Sequence, residues 1–142
     1  MAQSLSSIRK QLAIKVAALT GFKESKHTPD YFGRVENTVA HKAFAISVAS
    51  SVAMDERQRR SVGVVLNTPM MITFAYRLRP LDVYPIDYDA ALDCEETVIN
   101  GVLQAYSSNN KFTIRYLQSV RTVTESQEYI ITQLSFNIIH TI

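Results

Sequence analysis

The chain has 142 residues, of which 46% are apolar and 20% are charged. This length supports one hydrophobic core and this composition excludes a disordered or fibrous protein, so we predict a single domain over residues 1–142. The 15 basic and 13 acidic residues leave a net charge of only +2. A domain that binds nucleic acid by neutralising phosphates normally has a stronger basic bias, so the charge argues against that class of function.

Cysteine content and hydropathy indicate the redox compartment and the relation of the chain to membranes. The single cysteine, Cys94, cannot form a disulfide within the chain, which fits a reducing compartment. No run approaches the roughly 18 consecutive apolar residues of a membrane span, and basic residues interrupt the apolar pattern near the N-terminus. We therefore expect a soluble, cytoplasmic protein with no membrane partner.

The first predicted element is an amphipathic helix near the N-terminus. Its apolar residues recur at spacings of three and four, from Leu5 to Leu19. Ser4 is placed to cap its start, and Gly21 lies just past its end. The region 22–41 mixes proline, glycine and scattered aromatic residues, which predicts a long irregular connection.

Two β-rich regions come next. Apolar residues alternate with small residues over 43–52, which predicts a half-buried strand. The polar stretch 54–60 predicts a hairpin tip, and a second β-rich run extends from Ser61 to Pro80. Pro69 interrupts that run, and because proline cannot donate a backbone hydrogen bond we predict a bulge or a sheet edge there.

A second helix is predicted after Pro85. Its apolar stripe consists of Leu92, Ile99, Val102, Leu103 and Tyr106. Asp87 or Asp89 can cap its first turn, and the acidic residues at 93–96 suit the positive end of the helix dipole.

A hairpin of two alternating strands follows, with its loop at 124–126. In the second of these strands, Ile130, Leu134, Phe136 and Ile138 share one face and are expected to pack on the helices. The element order predicts an α+β fold. Its form is a two-layer domain with an antiparallel, or at most mixed, sheet of about four strands, two helices on one face, and long hairpins.

Residues that carry chemistry are few and dispersed. His27, His41 and His140 have no metal-ligand spacing, so we interpret them as solvated or hydrogen-bonded. The acidic residues at 87–96 lack the pattern of a calcium loop, and helix capping explains them more simply. Cys94 has no identifiable histidine partner, and no glycine-rich phosphate loop is present. We therefore predict no enzyme, no catalytic residue, no metal and no cofactor.

Apolar residues on both faces of several strands suggest an interaction surface. Tyr129, Ile131 and Ile139 are predicted to face away from the helices, and an exposed apolar surface usually marks association with copies or partners. The predicted hairpin tip at 54–60 contains Arg57, Arg59 and Arg60, and we call it the basic tip. It leaves three interpretations open: a solvated loop, a protein contact or a phosphate contact. The candidate interface residues are Arg57, Arg59, Arg60, Tyr129, Ile131 and Ile139.

The order of elements also carries a family resemblance over almost the whole length. It runs through SLSSIRKQLAIKVAAL, FGRV, AFAISVASS, ITFAYRLRP and DYDAALDCEETVINGVL to the closing strands TIRYLQSVRTV and EYIITQLSFNIIHTI. In this order the chain resembles the tail-terminator, or tail-completion, proteins of long-tailed bacteriophages. The resemblance implies a hexameric ring that caps the tail tube and joins the finished tail to the head-tail connector.

The same resemblance implies partners and a location. The expected partners are further copies of the chain, the tail tube protein and the connector or neck protein. DNA would pass through the ring without specific binding. The protein would be assembled in the host cytoplasm and reside in the tail or neck of the virion. The alternatives are another neck, head-completion or tube-like virion protein, and a small cellular ligand-binding α+β module.

Overall fold

The computed structural model describes residues 4–25, 41–53, 64–78, 84–108, 112–124 and 129–141. Two helices and a mixed sheet of six strands form an α+β fold, as predicted, although the sequence indicated only about four strands. In chain order the elements are α1 (Leu5–Ala17), β1 (Lys23–Glu24), β2 (Ala43–Val48), β3 (Val52–Ala53), β4 (Val65–Arg77), α2 (Tyr84–Ser108), β5 (Phe112–Val123) and β6 (Tyr129–Thr141).

The strand order is β1-β2-β4-β6-β5, and β3 pairs with β4 off this path. β1 pairs with β2 in parallel, whereas the other described pairs are antiparallel. β1 lies inside the region predicted as an irregular connection, because two residues are too few to show a periodicity. β5 and β6 form the predicted hairpin, which Thr124 closes by donating its N–H to the Tyr129 carbonyl at 2.9 Å.

The main core lies between the helices and one face of the sheet, here called the helix face. Leu134, Phe136 and Ile138 of β6 are fully buried there, as the alternation predicted. They pack with residues of α1, α2, β2, β4 and β5: Ile8, Leu12, Val16, Phe44, Ile72, Phe74, Val98, Val102, Phe112 and Ile114. α1 contacts β1, while α2 lies over β5 and β6.

α1 begins where the sequence predicts and ends before its predicted last residue. The Ser4 hydroxyl accepts a hydrogen bond from the Ser7 N–H at 3.2 Å, which is the N-cap geometry. The helix ends at Ala17, two residues before the last apolar residue of its pattern. Gly21 then adopts a φ of +82°, a conformation that favours glycine because it has no Cβ.

α2 begins before the predicted capping residues, so that prediction is wrong. The helix starts at Tyr84 and accommodates Pro85 in its first turn, where its missing N–H would have no helical partner. Asp87 is a buried residue of the helix and not its cap. Residues 93–96 lie more than two turns inside, where the helix dipole has little effect, so dipole compensation does not explain their acidity.

Pro69 lies within an uninterrupted pairing of β4 with β6, without a bulge at that position. Its carbonyl accepts from the Ala49 N–H at 2.9 Å, on the side of β4 that faces β2 and β3. In an antiparallel ladder the N–H and carbonyl of one residue point to the same side. The missing donor of Pro69 therefore faces the gap between Val48 and Val52, where β4 is locally a sheet edge.

Candidate interaction surface

β5 forms one edge of the sheet, and among the described strands it pairs with β6 alone. It is 12 residues long, whereas β1 at the opposite end of the strand order has two. All residues of β5 from Arg115 to Val123 are exposed except the half-buried Ser119. An open edge presents backbone N–H and carbonyl groups to which a strand of another chain can pair.

The exposed part of β5 is rich in apolar side chains. Leu117 is 52% exposed, Val120 is 44% exposed and Val123 is 37% exposed, and Tyr116 is 40% exposed beside them. We call Tyr116, Leu117, Val120 and Val123, which lie along this edge strand on both of its faces, the β5 surface.

A bulge at Leu117 determines which way the β5 side chains point. Tyr116 pairs with Phe136 and Gln118 pairs with Ser135, so Leu117 has no partner residue in β6. Beyond the bulge the alternation is reversed. Val120 consequently lies on the face away from the helices, whereas strict alternation from Phe112 would place it on the helix face.

The same reversal brings Arg121 to the helix face, where it binds Glu95 of α2. Two guanidinium nitrogens donate to the two carboxylate oxygens at 2.6 Å each. The Glu95 side chain is 5% exposed and that of Arg121 is 39% exposed. The hydrogen bonds to Glu95 raise the pKa of Arg121. This bidentate pair fixes the second half of β5 to α2.

The predicted interface residues on β6 differ in exposure. Ile131 is 8% exposed and packs with Ala43, Ala45 and Ala75 on the outer face, which is the face of the sheet opposite the helices. Tyr129 is half-buried and packs against this cluster, and Ile139 is also half-buried. Ile131 is therefore already covered within a single chain.

Two further predictions concern the outer face of β2 and the basic tip. The outer face of β2 was expected to be open, yet its alanines are buried as fully as the phenylalanine and isoleucine on the helix face. Arg57, Arg59 and Arg60 of the basic tip lie outside the described residues. Four of the exposed large apolar side chains in the described sheet lie on the β5 surface, and Val48 and Val52 lie on β2 and β3.

His41 is a hydrogen-bonded residue, as predicted. Its Nδ1 accepts from the Arg77 N–H at 3.1 Å, and its ring contacts Tyr76 edge-on at a centroid distance of 4.5 Å. Burial lowers the pKa of His41, and the charges of Lys42 and Arg77 lower it further. The neutral imidazole thus satisfies the last N–H of β4. His41, Tyr76, Arg77 and Asp87 line an open cleft of about 570 Å³.

The other chemistry-bearing residues fit structural roles. His140 is 2% exposed in β6, and His27 lies outside the described residues. Burial raises the pKa of Cys94, so its thiol is less reactive than an ordinary one. Within the described part of the chain, no group of three or more His, Cys, Asp or Glu residues could hold a metal ion.

The fold and the surface together define a class of protein, namely a two-layer α+β domain with an apolar edge strand that is unpaired on one side among the described strands. Comparison with models of known protein families and with curated proteins returns no match. No helix in the described ranges is long and apolar enough to cross a membrane. The exposed surface therefore carries the functional argument.

Proposed function

We propose that this protein is a structural subunit that assembles into a closed ring, in the role of a bacteriophage tail terminator. The observation that carries the proposal is the open edge of β5 with the apolar β5 surface beside it. A second chain that pairs with this edge satisfies its backbone groups and covers its apolar side chains. The tail-terminator role comes from the resemblance in element order.

A ring suits an edge strand of this kind. If β5 of each subunit docks on a different surface of the next subunit, every copy uses the same two surfaces, and a closed ring leaves neither uncovered. The proposed ring has six subunits, caps the tail tube and joins it to the neck. Its function is geometric, so it needs no catalytic residue.

The test is Val120→Lys in the full-length protein. Val120 is 44% exposed, so a lysine there leaves the folded subunit intact but places a charge in the proposed contact. Ser50→Lys is the matched control, because Ser50 is exposed in the gap between β2 and β3. Each protein is analysed by mass measurement and negative-stain imaging, alone and with tail tube or neck subunits.

We expect rings of wild type and of Ser50→Lys in the presence of these partners, and no rings of Val120→Lys. All three proteins should unfold at the same denaturant concentration. Wild-type protein that stays monomeric with both partners would contradict the ring. Rings of Val120→Lys equal in yield to wild type would contradict the β5 contact.

A further inference from the structure

α1 exposes a basic stripe on the side that faces away from the sheet. Lys10 and Ile14 lie four residues apart on this side, with Lys15 beside them, and all three are exposed. α1 contains three basic residues and no acidic one. Arg9 pairs with Glu24 of β1 at 2.9 Å, whereas Lys10 and Lys15 form no ion pair with another described residue.

α2 exposes an acidic stripe with the same outward direction. Spacings of three and four residues place Ile86, Asp89, Asp93 and Glu96 on one face, opposite the buried face of the helix. α2 contains five acidic residues and no basic one. Of these, Glu95 is buried against Arg121, while the three stripe carboxylates have no ion-pair partner in the described ranges.

Each stripe contains an exposed isoleucine. Ile14 is 71% exposed and Ile86 is 64% exposed, which makes them the two most exposed large apolar side chains in the described residues. Both helices contribute to one core, and a Cβ on Gly101 of α2 would lie 3.7 Å from Leu19, just past the end of α1. The two stripes therefore form a single outward surface with opposite charges on its two halves.

We propose that two copies of the chain associate through this surface, with the basic stripe of each copy on the acidic stripe of the other. Because both stripes face the same way, one two-fold rotation brings both pairs into contact at once. The opposite alignment, α1 on α1 and α2 on α2, places like charges together and is disfavoured. Ile14 and Ile86 are covered in the same contact.

The charge pattern favours a second copy over other partners. An anionic membrane or a nucleic acid would attract the basic stripe, but the acidic stripe beside it would repel the same surface. A second copy is complementary to both halves. This contact is separate from the β5 surface, so it does not depend on the proposed ring.

The experiment reverses the charge of one stripe at a time in the full-length protein. The parent protein carries Val120→Lys, so that β5 makes no contribution. The first variant adds Asp89→Lys, Asp93→Lys and Glu96→Lys, which makes both stripes basic. The second adds Lys10→Glu and Lys15→Glu, which makes both stripes acidic. Sedimentation equilibrium gives the dimerisation constant of each protein and of their equimolar mixture, and circular dichroism checks the fold.

We expect the parent to dimerise at low ionic strength and to dissociate as salt is added. Each reversed variant alone should dimerise at least about tenfold more weakly, because every reversed charge meets a like charge twice across the two-fold axis. The mixture should regain the dimer, with one copy of each variant. The pair Asp93→Lys and Lys15→Glu repeats the test with single changes if a multiple variant fails to fold.

A parent that stays monomeric at low salt up to roughly millimolar concentration, where a contact of about −4 kcal/mol would be visible, overturns the inference. So does a mixture that remains monomeric, or a reversed variant that dimerises like the parent. If the wild-type chain forms rings while the parent stays monomeric, the contact between the helix stripes is contradicted and the β5 proposal still stands.

Discussion

Replacing Arg121 by methionine tests whether the ion pair to α2 fixes the second half of β5. The substitution keeps the length of the side chain and removes its charge, so the carboxylate of Glu95, which is 5% exposed, loses both of its guanidinium hydrogen bonds. Methionine fills most of the same space, which limits the change to the lost charge and hydrogen bonds.

The expected loss in the free energy of unfolding is about 2–3 kcal/mol at pH 7. Removing one partner of a fully buried ion pair costs about 3–5 kcal/mol, and the 39% exposure of Arg121 reduces that figure.

Urea unfolding followed by circular dichroism measures the effect. Arg115→Met is the matched control, since Arg115 is an exposed arginine of the same strand, and it should change stability by less than about 0.5 kcal/mol. The double variant Arg121→Met with Glu95→Met should recover to within about 1 kcal/mol of wild type, because no buried charge is left unpaired. If Arg121→Met unfolds like Arg115→Met, the ion pair does not hold β5 to α2.

Three further predictions concern other parts of the fold. Burial lowers the pKa of His41, so its neutral form stabilises the fold above about pH 6.5, and this stability is lost as the pH falls below that value. His41→Gln should therefore flatten the pH dependence of urea unfolding. Gly21→Ala should lower stability by about 1 kcal/mol in thermal unfolding, because φ is +82° and the new Cβ would lie 3.1 Å from the Lys42 side chain. Ile131→Asp should lose cooperative unfolding because it buries a charge, whereas Ile139→Asp, at a half-buried position, should retain it. Equal stability of the two aspartate variants would show that the outer face is not part of the core.

Elements whose signals are local could be predicted from the amino-acid sequence. The spacing of apolar residues in α1, its Ser4 cap and the alternation of β6 all follow from burial of one face of a regular element, and each element repeats that pattern over many residues. The helix-facing side of β6 was predicted correctly for this reason. The same patterns were sufficient for the α+β class.

Features that depend on which strands pair could be assigned only from the folded chain. The short β1 exists because it pairs with β2, and the burial of Ile131 depends on alanines of two other strands. The bulge at Leu117 is set by the register of β5 on β6, and one extra residue there turns Val120 outward and Arg121 towards α2. A shift of one residue exchanges the two faces of a strand, so the β5 surface could not be assigned until that register was known.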